Sequence, residues 1–169
     1  IDGEVAFTGG LNLSDEYINK KHPFGHWKDA GIMLRGEAAL SLSAMFLRMW
    51  NATNGSNEDI LCYKPKSAKK YGKNGYIIPY SDSPTDDENI CEQIYLQIIN
   101  DAKKYVYICT PYLIISEVLI NALCLGAKRG VDVRIVTPHI ADKRFVQMTS
   151  RSYYRELIDS GIKIYEYTN

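Results

Sequence analysis

A chain of 169 residues is long enough for a domain with a real core, and 46% hydrophobic with 24% charged residues is ordinary for a soluble globular protein. The formal net charge is zero. That argues against a duplex DNA binder, which normally carries a basic surplus, so no nucleic-acid partner is expected. No apolar run reaches the roughly 18 to 20 residues that span a bilayer, no signal peptide is visible, and the chain is expected to be soluble.

Glu4 to Thr8 alternates apolar residues and predicts a short strand running into Gly9-Gly10. Asp29 to Arg35 predicts a second strand. A helix should follow, with Ala38, Leu42, Met45, Phe46 and Met49 on one face, stopping in the stretch Asn51 to Gly55. Residues 52 to 75 are rich in Asn, Gly, Ser and Lys, with five lysines from Lys64 to Lys73, and read as a linker or long loop. Such a run either lies solvated or faces anionic lipid.

Patterned sequence then resumes. Tyr76 to Tyr80 predicts a strand, and Asp86 or Asp87 a cap for a helix carrying Ile90, Ile94, Ile98 and Ala102. Tyr105 to Cys109 predicts a strand and Ser116 to Arg129 a helix ended by Gly130. Val131 to Thr137 should be a strand, Asp142 to Ser160 a helix with Asp142 as its cap, and Ile162 to Tyr167 a strand. This alternation predicts an α/β fold with a mixed, largely parallel sheet flanked by helices. Exposed sheet edges would invite self-association. The division expected is 1–51, a 52–75 linker, and 76–169.

The four cysteines, Cys62, Cys91, Cys109 and Cys124, form no C-x-x-C pair, so no metal site is expected. Cys91, Cys109 and Cys124 fall in apolar stretches and read as small buried residues in a reducing compartment. His22 and His139 fall near prolines and read as solvated loop residues.

The Gly9-Gly10-Leu11-Asn12 turn at a strand end suits presentation of backbone N–H groups and one amide to an anion, although on these residues alone a plain turn is the better account. Thr110-Pro111-Tyr112 ends a strand, where open α/β sheets bind ligands. Its hydroxyl and phenol suit a polar head group, and a rigid turn explains the same residues. His26-Trp27-Lys28 reads as His-x-Lys, but the position that should hold the aspartate, after four intervening residues, is Met33, so a surface loop is the better reading.

The stretch IDGEVAFTGGLNLSDEYIN resembles the trailing half of the phospholipase D signature: His-x-Lys, four residues, Asp, six residues, Gly-Gly, any residue, Asn. Asp2, Gly9, Gly10 and Asn12 fit that spacing. FGHWKDAGIMLRGEAA, YVYICTPYLI, ALCLGAKRGVDVRIVTP and SRSYYRELIDSGIKIYEY resemble bacterial cardiolipin synthases of that superfamily. The resemblance implies two phospholipase D-like half-domains, here incomplete, sharing one site. It implies a phosphatidyltransferase that joins two phosphatidylglycerols and releases glycerol through a phosphohistidine, without a cofactor. A phosphodiesterase that uses water is the alternative within the superfamily, and a non-catalytic nucleotide-binding or regulatory module the alternative outside it.

By the same resemblance, Gly9, Gly10 and Asn12 would face phosphate. Asp29 would orient a nucleophilic histidine and Asp2 would be structural, while Thr110 and Tyr112, by their place at a strand end, would meet substrate. The two catalytic His-x-Lys motifs are expected before Ile1 and after Asn169, making the chain an inactive inner piece. The parent is expected at the cytoplasmic membrane, with phosphatidylglycerol and anionic lipid as partners.

Overall fold

The computed structural model describes residues 1–64, 75–82 and 87–168, and the chain divides into two compact units. The lysine run beyond Lys64 and the proposed cap Asp86 lie outside the described residues. One unit holds Ile1–Tyr17 and Lys28–Ser83, the other Ile18–Trp27 and Pro84–Asn169.

The first unit is built on two antiparallel strands, β1 (Val5–Gly9) and β2 (Gly31–Arg35), registered with Val5 opposite Arg35 and Gly9 opposite Gly31. Helix α1 (Glu37–Asn54) follows and ends at Gly55, whose left-handed backbone a side chain would strain. Its buried positions are Ala39 and Leu47, not the predicted face, while Phe46 and Met49 lie exposed. The helix carries apolar residues on several sides, so periodicity alone did not identify the packed one.

The second unit is a three-stranded parallel sheet, ordered β3 (Tyr105–Cys109), β4 (Asp132–Pro138), β5 (Lys163–Tyr167). Parallel neighbours need a crossover, and helices supply it. α2 (Ile90–Asp101) precedes β3, α3 (Glu117–Lys128) joins β3 to β4, and α4 (Arg144–Ser152) with α5 (Tyr154–Asp159) joins β4 to β5. The predicted single helix from Asp142 to Ser160 is therefore broken at Tyr153. Asn89 and Ser116 cap α2 and α3 by accepting the Glu92 and Leu119 N–H groups. The expected cap at Asp87 is thus replaced by Asn89.

Alternation along β4 sends Val133, Ile135 and Thr137 into the core. Leu113, Leu123, Leu157 and Ile162 close around them. Burying each of the larger side chains contributes about 1.5–3 kcal/mol. Tyr105, Tyr107 and Tyr165 lie exposed.

Two sequence expectations fail here. Tyr76 to Tyr80 forms no strand: Tyr76 is 99% exposed and Ile78 81%. Pro79 removes one ladder donor, and no strand pairs with the segment among the described residues. Cys109 is exposed and Cys91 half-buried, so only Cys124 of the three is a core thiol. An odd position on β3 put Cys109 on the sheet side opposite Val106 and Ile108.

Candidate functional site

The first cluster forms where β1 ends. Gly10 N–H donates to the Ala30 carbonyl at 3.4 Å, extending the β1–β2 ladder by one step. A Cβ at Gly9 would stand 2.6 Å from the Ala30 oxygen and 2.9 Å from Gly31 Cα. A Cβ at Gly10 would stand 2.8 Å from Asp29 Oδ1. Gly9 is therefore required by the close approach of backbone, while Gly10 leaves room for the Asp29 carboxylate directly against the turn. The Ala30 N–H donates to Asp29 Oδ1 at 2.8 Å. Gly9, Gly10, Asn12 and Asp29 are all exposed, so the cluster opens to solvent.

Asp2 lies at the other end of β1. With Gly3 it makes a left-handed turn, φ 50° and 69°, closed by Glu4 N–H to the Ile1 carbonyl at 3.1 Å. The structure thus brings Gly9, Gly10 and Asp29 together and leaves Asp2 a strand-length away, roughly 13 Å at about 3.4 Å per residue.

The second cluster lies in the other unit, at the carboxyl ends of β3 and β4. Thr110 Oγ1 donates to the Tyr112 carbonyl at 3.0 Å, folding Thr110-Pro111-Tyr112 into a tight turn. The Leu113 N–H donates to the buried Ser150 hydroxyl at 3.0 Å, pinning that turn to α4. The Tyr112 hydroxyl donates to Asp142 at 2.5 Å, and the Lys143 ammonium sits 5.2 Å from the Tyr112 ring centroid. Asp142 does not cap α4: Lys143 is the N-cap, and no side chain caps that helix. The Asp142–Tyr112 pair spans 30 residues, so no local pattern carried it.

Elsewhere in the second unit two carboxylates, Glu166 and Asp132, gather charged partners. Glu166 receives Arg151 Nε and Nη2 at 3.0 and 2.8 Å, and His139 Nδ1 lies 2.7 Å from its other oxygen. His139 is exposed as expected, but its ring lies at hydrogen-bond distance from Glu166 rather than being merely solvated. Burial pushes the Glu166 pKa up, but hydrogen bonds from His139 and Arg151 outweigh it and hold the carboxyl below its usual value. On β4, Asp132 accepts from Arg134, Lys163 and Tyr107. Those bonds, from Arg134 first, hold it far below the usual aspartate range, and the same contact raises Tyr107. His26 is exposed, with Nδ1 3.0 Å from the Tyr167 hydroxyl.

Among the described residues no three His, Cys, Asp or Glu side chains are grouped to hold a metal. No helix among them is long and apolar enough to cross a membrane.

Residues 95–169 match the family described as cardiolipin synthase, PLD-like domain. An uncharacterized protein of Streptococcus mutans is 48% identical over 168 residues, covering 99% of this chain and 36% of that protein. A cardiolipin synthase of Halalkalibacterium halodurans is 39% identical over 168 residues, 99% of this chain and 33% of its own length. Cardiolipin synthase 2 of Bacillus cereus is 40% identical over 169 residues, 99% and 32%. The chain spans about a third of the length of these curated relatives.

Proposed function

We propose, from a relationship to bacterial cardiolipin synthases that runs the length of the chain, that these residues serve a phosphatidyltransferase of the phospholipase D superfamily. The reaction joins two phosphatidylglycerols into cardiolipin and releases glycerol. One histidine attacks phosphorus and a second protonates the leaving alcohol, then deprotonates the acceptor. No His-x-Lys followed, after four intervening residues, by an aspartate occurs within these 169 residues, and both histidines are assigned to a longer polypeptide. The 169-residue chain alone is inactive in this reading, with 1–51 and 76–169 contributing to separate half-domains joined through 52–75. The longer protein acts at the cytoplasmic membrane on anionic lipid. Self-association of the isolated chain would run through the outer strands β3 and β5.

The observation that carries the site is the packing of Asp29 against Gly10. A nucleophilic histidine needs an acceptor on its second ring nitrogen to fix the tautomer and stabilise the charged form. Asp29 is the carboxylate for that role, and the glycines admit it to the turn. The Asn12 amide is assigned to a phosphate oxygen, stabilising charge in the transition state. Asp2 shapes the opposite turn. Thr110 and Tyr112 are assigned to the substrate side of the second half-domain.

The test is product identity. The full-length protein carrying these residues is expected to convert phosphatidylglycerol to cardiolipin with one glycerol released per cardiolipin. Phosphatidic acid as the sole product would assign it to hydrolysis and overturn the transferase reading.

A further inference from the structure

β3 and β4 run out at their carboxyl ends into two turns, Thr110 to Leu113 and His139 to Lys143. Between them lies a small niche, walled largely by apolar surface including Pro111, Pro138 and Ala141, into which Tyr112, Asp142 and Gln147 bring polar groups. The space it offers is about 10 Å³ and partly open to solvent, room for one water or one hydroxyl group. Most polar groups around it are already engaged with one another. Thr137 Oγ1 and the Tyr154 hydroxyl are 2.6 Å apart, Gln147 Nε2 donates to the His139 carbonyl at 2.8 Å, and the Ser150 hydroxyl donates to the Val146 carbonyl at 2.9 Å.

Asp142 differs from these. Its carboxylate is fixed by the Tyr112 hydroxyl at 2.5 Å, which uses one of about four acceptor positions on the two oxygens. The usual task for an acid entering a helix, capping, is not performed here. Lys143, over the Tyr112 ring, supplies a positive charge beside it. That charge offsets the repulsion an isolated carboxylate would exert on a phosphate-bearing ligand. A held carboxylate facing a hydroxyl-sized space at the ligand-binding end of a parallel sheet suits the recognition of an alcohol.

We propose that Tyr112 and Asp142 form a hydroxyl-recognition subsite for a glycerol-type polyol: Asp142 accepts a hydrogen bond from a head-group hydroxyl, and Tyr112 holds the carboxylate in position. The inference rests on the phosphatidyl-transfer reading above. It adds the residue that distinguishes a polyol head group from one with a hydroxyl missing.

The experiment compares phosphatidylglycerol with phosphatidylpropane-1,3-diol, the same lipid without the secondary hydroxyl, as substrates of the full-length protein carrying these residues. The readout is the ratio of kcat/KM for the two lipids. The wild type is expected to prefer phosphatidylglycerol. Asp142→Asn is expected to reduce that preference by about 10- to 100-fold, the usual effect of losing a hydrogen bond to a charged group. Tyr112→Phe keeps the ring beneath Lys143 but releases the carboxylate, and is expected to reduce the preference by a smaller factor. Free glycerol separates the two sources of polyol. Competition in the wild type that Asp142→Asn abolishes shows that the subsite takes the free alcohol as well. A retained lipid preference without competition shows that it takes the lipid-borne head group alone. Equal loss of rate on both lipids in both variants, with the preference intact, would mean a niche holding water only and would overturn the proposal. Should Asp142→Asn fail to fold, Tyr112→Phe carries the same ratio test. A wild type that transfers phosphatidyl groups on neither lipid fails the transfer reading before any variant is made, and the subsite assignment falls with it.

Discussion

Single residues carry the sharpest consequences of the fold. Gly9 and Gly10 are adjacent, but their neighbours differ in kind: backbone for Gly9, a carboxylate for Gly10. Backbone of a paired strand yields less readily than a side chain. Gly9→Ala is therefore expected to destabilise the first unit by about 1–3 kcal/mol, the usual range for overpacking. Gly10→Ala should cost less stability but displace Asp29. Urea unfolding of the two variants beside the wild type measures the difference, and equal destabilisation would contradict it. Asp132 supplies a pH dependence. Its pKa is depressed in the folded state, chiefly by Arg134 and then Lys163. A depressed carboxylate contributes stability above its unfolded pKa, about 4, and loses it as pH falls toward the folded value. Stability should thus decline below about pH 4, and Asp132→Asn should flatten part of that decline. An unchanged acid limb in chemical unfolding of this variant would refute the assignment.

At the scale of elements, the turn at the end of β3 depends on a helix far along the chain. Ser150 on α4 accepts the Leu113 N–H while itself nearly inaccessible. Ser150→Ala leaves that donor buried and unmatched, which costs about 1–3 kcal/mol. Amide hydrogen exchange at Leu113 should accelerate in the variant, and unchanged protection there would count against the linkage. Leu157 on α5, wholly buried beneath β4 and β5, anchors the same layer. Leu157→Ala is expected to cost about 2–5 kcal/mol through lost burial and an unfilled cavity. A thermal scan of the second unit reads it, and a loss below about 1 kcal/mol would mean the site collapses without strain.

Much of this was legible in the sequence at the level of elements. The alternation of apolar and charged residues identified β4, which has one clear buried side, and the Gly130 stop helped bound α3. Three kinds of feature escaped. Helix α1 is apolar around much of its circumference, so the spacing pointed to Phe46 and Met49 where Ala39 and Leu47 are the buried positions. Tyr76 to Tyr80 has strand-forming residues without a pairing strand, and local preference does not create a partner. Asp142 has the position of a cap and instead bonds a phenol 30 residues away, a pairing that only the crossover through α3 and β4 produces. The Gly-Gly-Leu-Asn turn was visible as a pattern. That its glycines admit Asp29 was not, because Gly10 and Asp29 become neighbours only when β1 and β2 pair.

For the whole molecule, the chain reads as two units, each holding one cluster of polar groups, with sequence shared along its length with cardiolipin synthases about three times as long. Within the proposed transfer reading, the role given to the first cluster turns on Asp29. Its direct measurement is kcat for cardiolipin formation by the full-length protein carrying Asp29→Asn, with the variant's melting temperature recorded alongside. If Asp29 orients the catalytic histidine as proposed, kcat should fall at least about 100-fold while the protein remains folded, since a misoriented catalytic histidine costs that much or more. Wild-type turnover by a folded Asp29→Asn protein would contradict it.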